Sequence, residues 1–244
     1  MNVLLVLAYL FFIGSVFGWI IELLWRNIFS KSKKWINPGF CTGPYLPLYG
    51  FGLCALFLLA TLEKYFAGMS PFWSKIILFI IMALVMTLIE YLSGIFSLKY
   101  LKVRLWDYSD CWGNIQGIIC PLYSFFWALL GGVYYFAIHP HILSGLTWLS
   151  KNLAFSFFIG MFFGIFIIDV VNSAQLVVKL KKFAEEHSIV LVYDKIKEDI
   201  KRYHEENDRK YHFFSPFKSG KSLSEHLMNI KKNIEDRINI NERE

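Results

Sequence analysis

The sequence predicts an all-α polytopic membrane bundle of about five spans, with a duplicated two-helix hairpin and a helical cytoplasmic tail. Three observations predict it. The 244 residues are 56% hydrophobic and 18% aromatic, with a mean hydropathy of +0.45, which leaves too little polar surface for a soluble domain of this length. Long uncharged runs approach the ~20 residues a helix needs to cross about 30 Å of hydrocarbon. Short strings then recur in the same order in the first two hairpins. On this reading residues 1–178 form the membrane domain, with hairpins at about 1–70 and 71–140 and a fifth span at 153–178; residues 179–244 form the tail.

The first span, Val3–Trp25, has no Lys or Arg before it, unlike the basic n-region of a secretory signal. Leu46–Leu62 is the shortest run. Ile76–Leu98, Gly117–Ile138 and Leu153–Val178 complete the set. Helices are expected because each backbone polar group must bond within its own segment in lipid. Loop 26–45 carries four basic residues, loop 99–116 three and the tail fifteen; the loops on the opposite side carry two and one. The positive-inside rule places the N-terminus outside and the tail in the cytoplasm, and the short loops alone favour that choice by 7 to 3. Gly14-x-x-x-Gly18 in span one and Gly160-x-x-x-Gly164 in span five predict close helix packing.

The repeat pairs Ile21-Glu22 with Ile89-Glu90, Trp35-x-Asn37 with Trp112-x-Asn114, and Pro47-Leu48-Tyr49 with Pro121-Leu122-Tyr123. Both copies start outside, so they would be related by an axis along the membrane normal. Each Glu falls near the inner end of its span. Carboxylates cost on the order of 2.5–3.5 kcal/mol at a helix centre and persist when they face a partner or a cavity. Glu22, Glu90 and Asp169 all lie on odd-numbered spans and in the cytoplasmic half or near the midplane. One reading gathers them into a polar cluster open to the cytoplasm. The other leaves them as three unrelated acids, with Glu22 reaching the interface.

The loop Gly39–Gly52, which holds Gly43, Pro44 and Tyr49, is dense in Gly and Pro. Such a segment forms either a tight interfacial turn or the broken start of a helix whose freed backbone groups line a site. Leu105–Gly117 contains Trp106, Asp107, Tyr108, Ser109, Asp110, Trp112 and Asn114, a polar set framed by residues suited to the headgroup layer. Asp107 beside Ser109 suggests hydrolysis only weakly, because no suitably placed His accompanies it. His139-Pro140-His141 reads as an interfacial turn. Cys41, Cys54, Cys111 and Cys120 have no metal spacing and read as packing residues. No metal, cofactor or catalytic residue is therefore assigned.

The strings ELLW, NPGFCTGPYLPLYGFG, IEYLSG and LWDYSDCWGNIQGIIC resemble the CmpB-like bacterial membrane proteins grouped as type IV ABC-transporter permeases, over roughly residues 14–140. The resemblance implies a multi-span protein of the bacterial inner membrane with a generic transport role. The family pattern carries Arg after the first Asn and after the second-copy Gly; here Pro38 and Ile118 stand at those places. Both departures remove a cation that could pair with the membrane acids, which leaves Arg26, Arg104, hydroxyls or a proton as partners.

In the tail, Ile189, Val192, Ile196, Ile200 and Tyr203 recur at helical spacing and predict an amphipathic helix continuing from span five. Ser222-x-x-Glu225 reads as a capping box ahead of Leu223, Leu227, Ile230, Ile234 and Ile238. With 15 basic and 13 acidic residues the tail is nearly balanced, which disfavours nucleic acid and favours helix pairing or dimerisation. Gly220-Lys221-Ser222 matches only the end of a Walker A motif, since Ser215 replaces its first Gly. The expected role is thus a permease-like subunit, homodimeric, moving a solute or lipid with a separate ATPase. The alternatives are a membrane scaffold that recruits partners through its tail and a membrane enzyme acting on a lipid-linked substrate.

Overall fold

The computed structural model describes residues 2–29, 35–66, 68–187, 189–206, 211–217, 225, 227–228 and 231–232. Its elements are α1 (Val3–Phe29), α2 (Pro47–Ala60), α3 (Pro71–Phe96), β1 (Val103–Arg104), α4 (Pro121–Val133), α5 (His139–Lys151), α6 (Ser156–Glu186), β2 (Leu191–Val192) and α7 (Tyr193–Glu206). Five helical stretches are long and apolar enough to cross a membrane: Val3–Ile28, Pro47–Phe66, Pro71–Leu101, Pro121–Lys151 and Leu153–Glu186. The chain is a multi-pass, helical membrane protein. Most large apolar side chains on these stretches are exposed, as they are when the solvent for the outer face is lipid.

The spans follow hydropathy, but their ends follow local chemistry. Pro47 and Pro121 each sit in the first turn of a helix, where a missing N–H costs nothing. The fourth stretch therefore begins at Pro121 rather than Gly117. It also does not stop at Ile138. A π turn, Tyr134–Ile138, passes directly into α5, so the segment read as an interfacial turn around Pro140 is helical. Pro140 falls in the first turn of α5, where it does not break the ladder.

Two compact units share the chain. The first comprises residues 1–21, 44–95 and 107–168. Its core is Leu10, Leu56, Leu78, Met82, Met86, Trp127 and Tyr134, with Ile142 and Leu146 of α5. Gly14 and Gly18 let α2 approach α1. A Cβ on Gly14 would lie 2.8 Å from Leu53 Cβ, and one on Gly18 would overlap the Tyr49 side chain. Phe11, which also meets Phe51 of α2, packs with Phe12 against Phe162, Phe163 and Phe166 of α6. The second glycine pair behaves differently: among the described residues nothing lies within 4 Å of a Cβ built on Gly160 or Gly164. Among those residues the packing expected there is not made, because the phenylalanines carry the helix contact on a different face.

The second unit comprises the described residues within 22–43, 96–106 and 169–244. Val103, Val177, Leu180, Leu191, Tyr193, Ile196 and Ile200 form its core. β1 and β2 pair in parallel, Val103 opposite Leu191 and Arg104 opposite Val192. Lys102 adopts a left-handed conformation (φ 55°) that turns the chain into β1. The tail is not one helix continuing from span five. α6 ends at Glu186, and the chain extends into β2 before α7 starts. Of the second amphipathic segment, Ser222, Leu223, Ile230, Ile234 and Ile238 lie outside the described residues, while Leu227 is buried.

Candidate functional site

Each membrane acid has its own polar set. In the second unit, Glu22 sits one turn before Arg26 on α1, and Arg26 Nε donates to Glu22 Oε1 at 2.8 Å. Arg26 Nη1 reaches Asp194 Oδ2 of α7 at 3.0 Å. Two carboxylates thus share one guanidinium, whose forked donors suit that role.

Asp169 is buried on α6 and receives the loop that follows Asn37. Its Oδ2 accepts from the backbone N–H groups of Thr42 (3.0 Å) and Gly43 (2.8 Å). Its Oδ1 accepts from Thr42 Oγ1 and, at 3.2 Å, from Ser173 Oγ one turn along α6. Successive N–H groups converging on a carboxylate form a nest, and charged acceptors make such bonds strong. Asn37 closes the same loop by donating Nδ2 to Cys41 O (3.2 Å) and Thr42 O (2.9 Å). Gly39, at φ 72°, supplies the turn that Asn37 closes.

The loop is also held from α7. Lys197 is 2% exposed, and its Nζ donates to Asn37 O at 2.7 Å and to Gly39 O. It lies 4.7 Å from the centroid of the Tyr193 ring, and Tyr193 Oη donates to Phe40 O at 3.2 Å. Burial lowers the Lys197 amine to about 7, against the raising influence of Asp194 and with Arg26 adding to the lowering. Burial pushes the Tyr193 phenol up, and it pushes the Cys41 thiol up to about 12, with Asp169 adding to that rise.

Lys197 makes stability depend on pH. The unfolded amine keeps its proton up to about 10.5, whereas the folded one releases it near 7. Between these values the unfolded chain binds more protons, so stability rises with pH. The melting temperature of detergent-purified wild type should therefore gain on that of Lys197→Met as pH is raised from 7 to 10.5. Equal pH slopes for the two proteins would refute this role.

In the first unit, Glu90 is 2% exposed on α3 and accepts from Tyr108 Oη at 3.1 Å. Tyr108 stacks on Tyr123 with ring centroids 4.0 Å apart and planes 6° from parallel. The Tyr108 backbone N–H donates to Gly117 O at 2.9 Å. Asn114 fixes this turn, donating to Ser109 O (3.1 Å) and Cys111 O (2.9 Å) and accepting from Gly117 N–H (3.0 Å). Ser109 Oγ donates to Asp107 Oδ1 at 2.5 Å within a local Asx turn, so its hydroxyl serves the backbone turn. Leu46 N–H donates to Ser15 O at 2.9 Å. α2 therefore begins beside the middle of α1, as the broken start of a helix does. Tyr49 packs against Trp127, centroids 5.1 Å apart.

The structure thus brings Asn37, Gly43 and Asp169 into one hydrogen-bonded loop, and Glu90, Tyr108 and Asn114 into another. Glu22 belongs to the Arg26–Asp194 set. Pro44 is exposed, Trp106 is half-buried, and Asp107 is exposed in its own turn. Thr42, Ser173, Tyr193, Asp194 and Lys197 belong to this architecture and are missed by sequence reasoning. Ser173, four residues after Asp169, carries a readable signal. Lys197 carries none, since a Lys beside Ile196 on an amphipathic helix reads as solvated. His139 Nδ1 pairs with Tyr134 Oη at 2.8 Å. Among the described residues no group of three His, Cys, Asp or Glu could hold a metal.

No curated protein and no solved structure matches the chain. One family model does, over residues 9–174, which is more than half of the chain and includes Glu22, Glu90, Asp169 and both loops. The chain therefore belongs to the CmpB family, described as "Putative ABC-transporter type IV".

Proposed function

We propose that the chain is a permease-like subunit of the bacterial inner membrane that moves an unidentified solute or lipid. ATP hydrolysis is then the work of a separate polypeptide, since the chain has no complete Walker A motif. The family match over residues 9–174 carries this reading. The N-terminus is outside and the tail cytoplasmic, supported by the excess of Lys and Arg in loops 26–45 and 99–116. In that orientation residues 35–43, residues 99–106 and the described part of the tail would offer an ATPase a built surface, since they fold together within the second unit. Glu90 and Tyr108 are the groups most suited to a polar pathway, because a buried carboxylate beside a phenol can exchange a proton or receive a cation. The Asp169 nest would keep the first loop in a fixed shape.

Affinity purification from native membranes in mild detergent, with mass spectrometry of what accompanies the chain, tests this reading. A stoichiometric ATPase that is lost from a folded Lys99→Glu/Lys102→Glu variant is the expected result. Recovery of the chain with only copies of itself would overturn the permease reading. It would favour a scaffold, for which Glu90→Gln is harmless and tail deletion is not.

A further inference from the structure

One face of α6 in the second unit presents a shallow, largely open groove formed by that helix alone, along Val171, Ala174, Gln175, Val178, Lys179 and Lys182. All six are exposed. They recur at spacings of three and four, so they form one stripe. A two-residue offset is about 200° of helix rotation, which sets this stripe opposite Asp169 and Ser173. The groove thus lies on the side of α6 away from the residues that hold the first loop.

Its chemistry changes along its length. Val171, Ala174 and Val178 are apolar, and Lys179 and Lys182 follow at the end of the apolar part of the span. Among the described residues neither lysine has an acid within ion-pair distance, whereas the neighbouring Lys181 pairs with Glu185 at 3.8 Å. A long lysine stem can lie along an apolar surface while its ammonium reaches the headgroup layer. An apolar strip ending in two cations matches an acyl chain ending in an anionic headgroup in its order of apolar and charged groups.

We propose that this groove binds an anionic phospholipid, with an acyl chain along Val171, Ala174 and Val178 and the headgroup phosphate between Lys179 and Lys182. The site does not depend on the permease reading or on the direction of insertion. It needs only a membrane containing anionic lipid. Each lysine near such a surface is worth about fivefold in affinity, so removing both should weaken binding about twenty-fivefold.

The full chain, purified in mild detergent, is incubated with phosphatidylglycerol or phosphatidylcholine, and retained lipid is counted by native mass spectrometry. Wild type should retain phosphatidylglycerol in preference to phosphatidylcholine. Lys179→Gln/Lys182→Gln should lose that preference, and the charge-matched Lys99→Gln/Lys102→Gln should keep it. Ala174→Trp, which fills the groove without changing charge, should also lose it. Because all these positions are exposed, the variants should melt as wild type does in phosphatidylcholine. Equal retention by the Lys179/Lys182 variant and wild type would overturn the proposal. So would displacement of the lipid by millimolar inorganic phosphate, which would mark a free-anion site. A disulfide-linked dimer of Val178→Cys in native membranes would overturn it too, by assigning the face to a second copy of the chain.

Discussion

Asp169→Ala should destabilise the second unit by about 3–5 kcal/mol, because it strips the acceptor from several converging donors at once. Thr42 N–H, Gly43 N–H, Thr42 Oγ1 and Ser173 Oγ all donate to this carboxylate. Water cannot replace it freely, since Asp169 is only 7% exposed. Asp169→Asn should rescue little. An amide keeps one oxygen acceptor but turns an NH₂ toward donors on the other side, and Asp169 accepts at both oxygens. Thermal melting of the detergent-purified chain, with limited proteolysis across residues 35–43, measures both effects. If Asp169→Asn melted as wild type, the nest would not be holding a carboxylate, and the loop would owe its shape to Asn37 and Lys197 alone.

The nest also separates what the sequence could reveal from what it could not. Hydropathy placed all five spans, because membrane crossing is a property of composition over ~20 residues and needs no tertiary information. It could not place their ends. The fourth stretch continues through the Tyr134–Ile138 π turn into α5, and a Pro at position 140 reads as a stop unless its place in the first turn is known. The acids were visible as charges in apolar runs, but their partners were not. Glu22 finds Arg26 one turn away, a pairing readable from spacing, and Asp169 finds Thr42, 127 residues earlier. The β1–β2 pair was hidden for the same reason: two residues per strand carry no periodicity, and the contact joins positions 103 and 191. Lys197 is the clearest case. Its burial depends on carbonyls of Asn37 and Gly39, freed by a loop whose conformation Gly39 sets, so no local pattern marks it.

The two glycine pairs look alike as strings and should respond in opposite senses to the same substitution. Gly18→Ala places a methyl group inside the Tyr49 side chain, whose Cβ and Cγ it would meet first. Tyr49 cannot simply swing away, because its ring packs on Trp127 and its backbone lies in the first turn of α2. α1 and α2 must then separate, at a cost of about 2–3 kcal/mol for an overpacked contact. Among the described residues Gly164→Ala meets nothing within 4 Å. There the gain in helix propensity, up to about 1 kcal/mol, stands unopposed. Melting temperatures of the two variants in one detergent should therefore fall on either side of wild type, with Gly18→Ala well below it. If Gly164→Ala instead fell as far as Gly18→Ala, the open face of α6 would be covered by another molecule, and its glycines would be packing against that partner. Small residues at four-residue spacing permit close approach. Whether a second helix uses the permission is decided by the bulk opposite them, here Tyr49 and Leu53 for one pair and open space for the other.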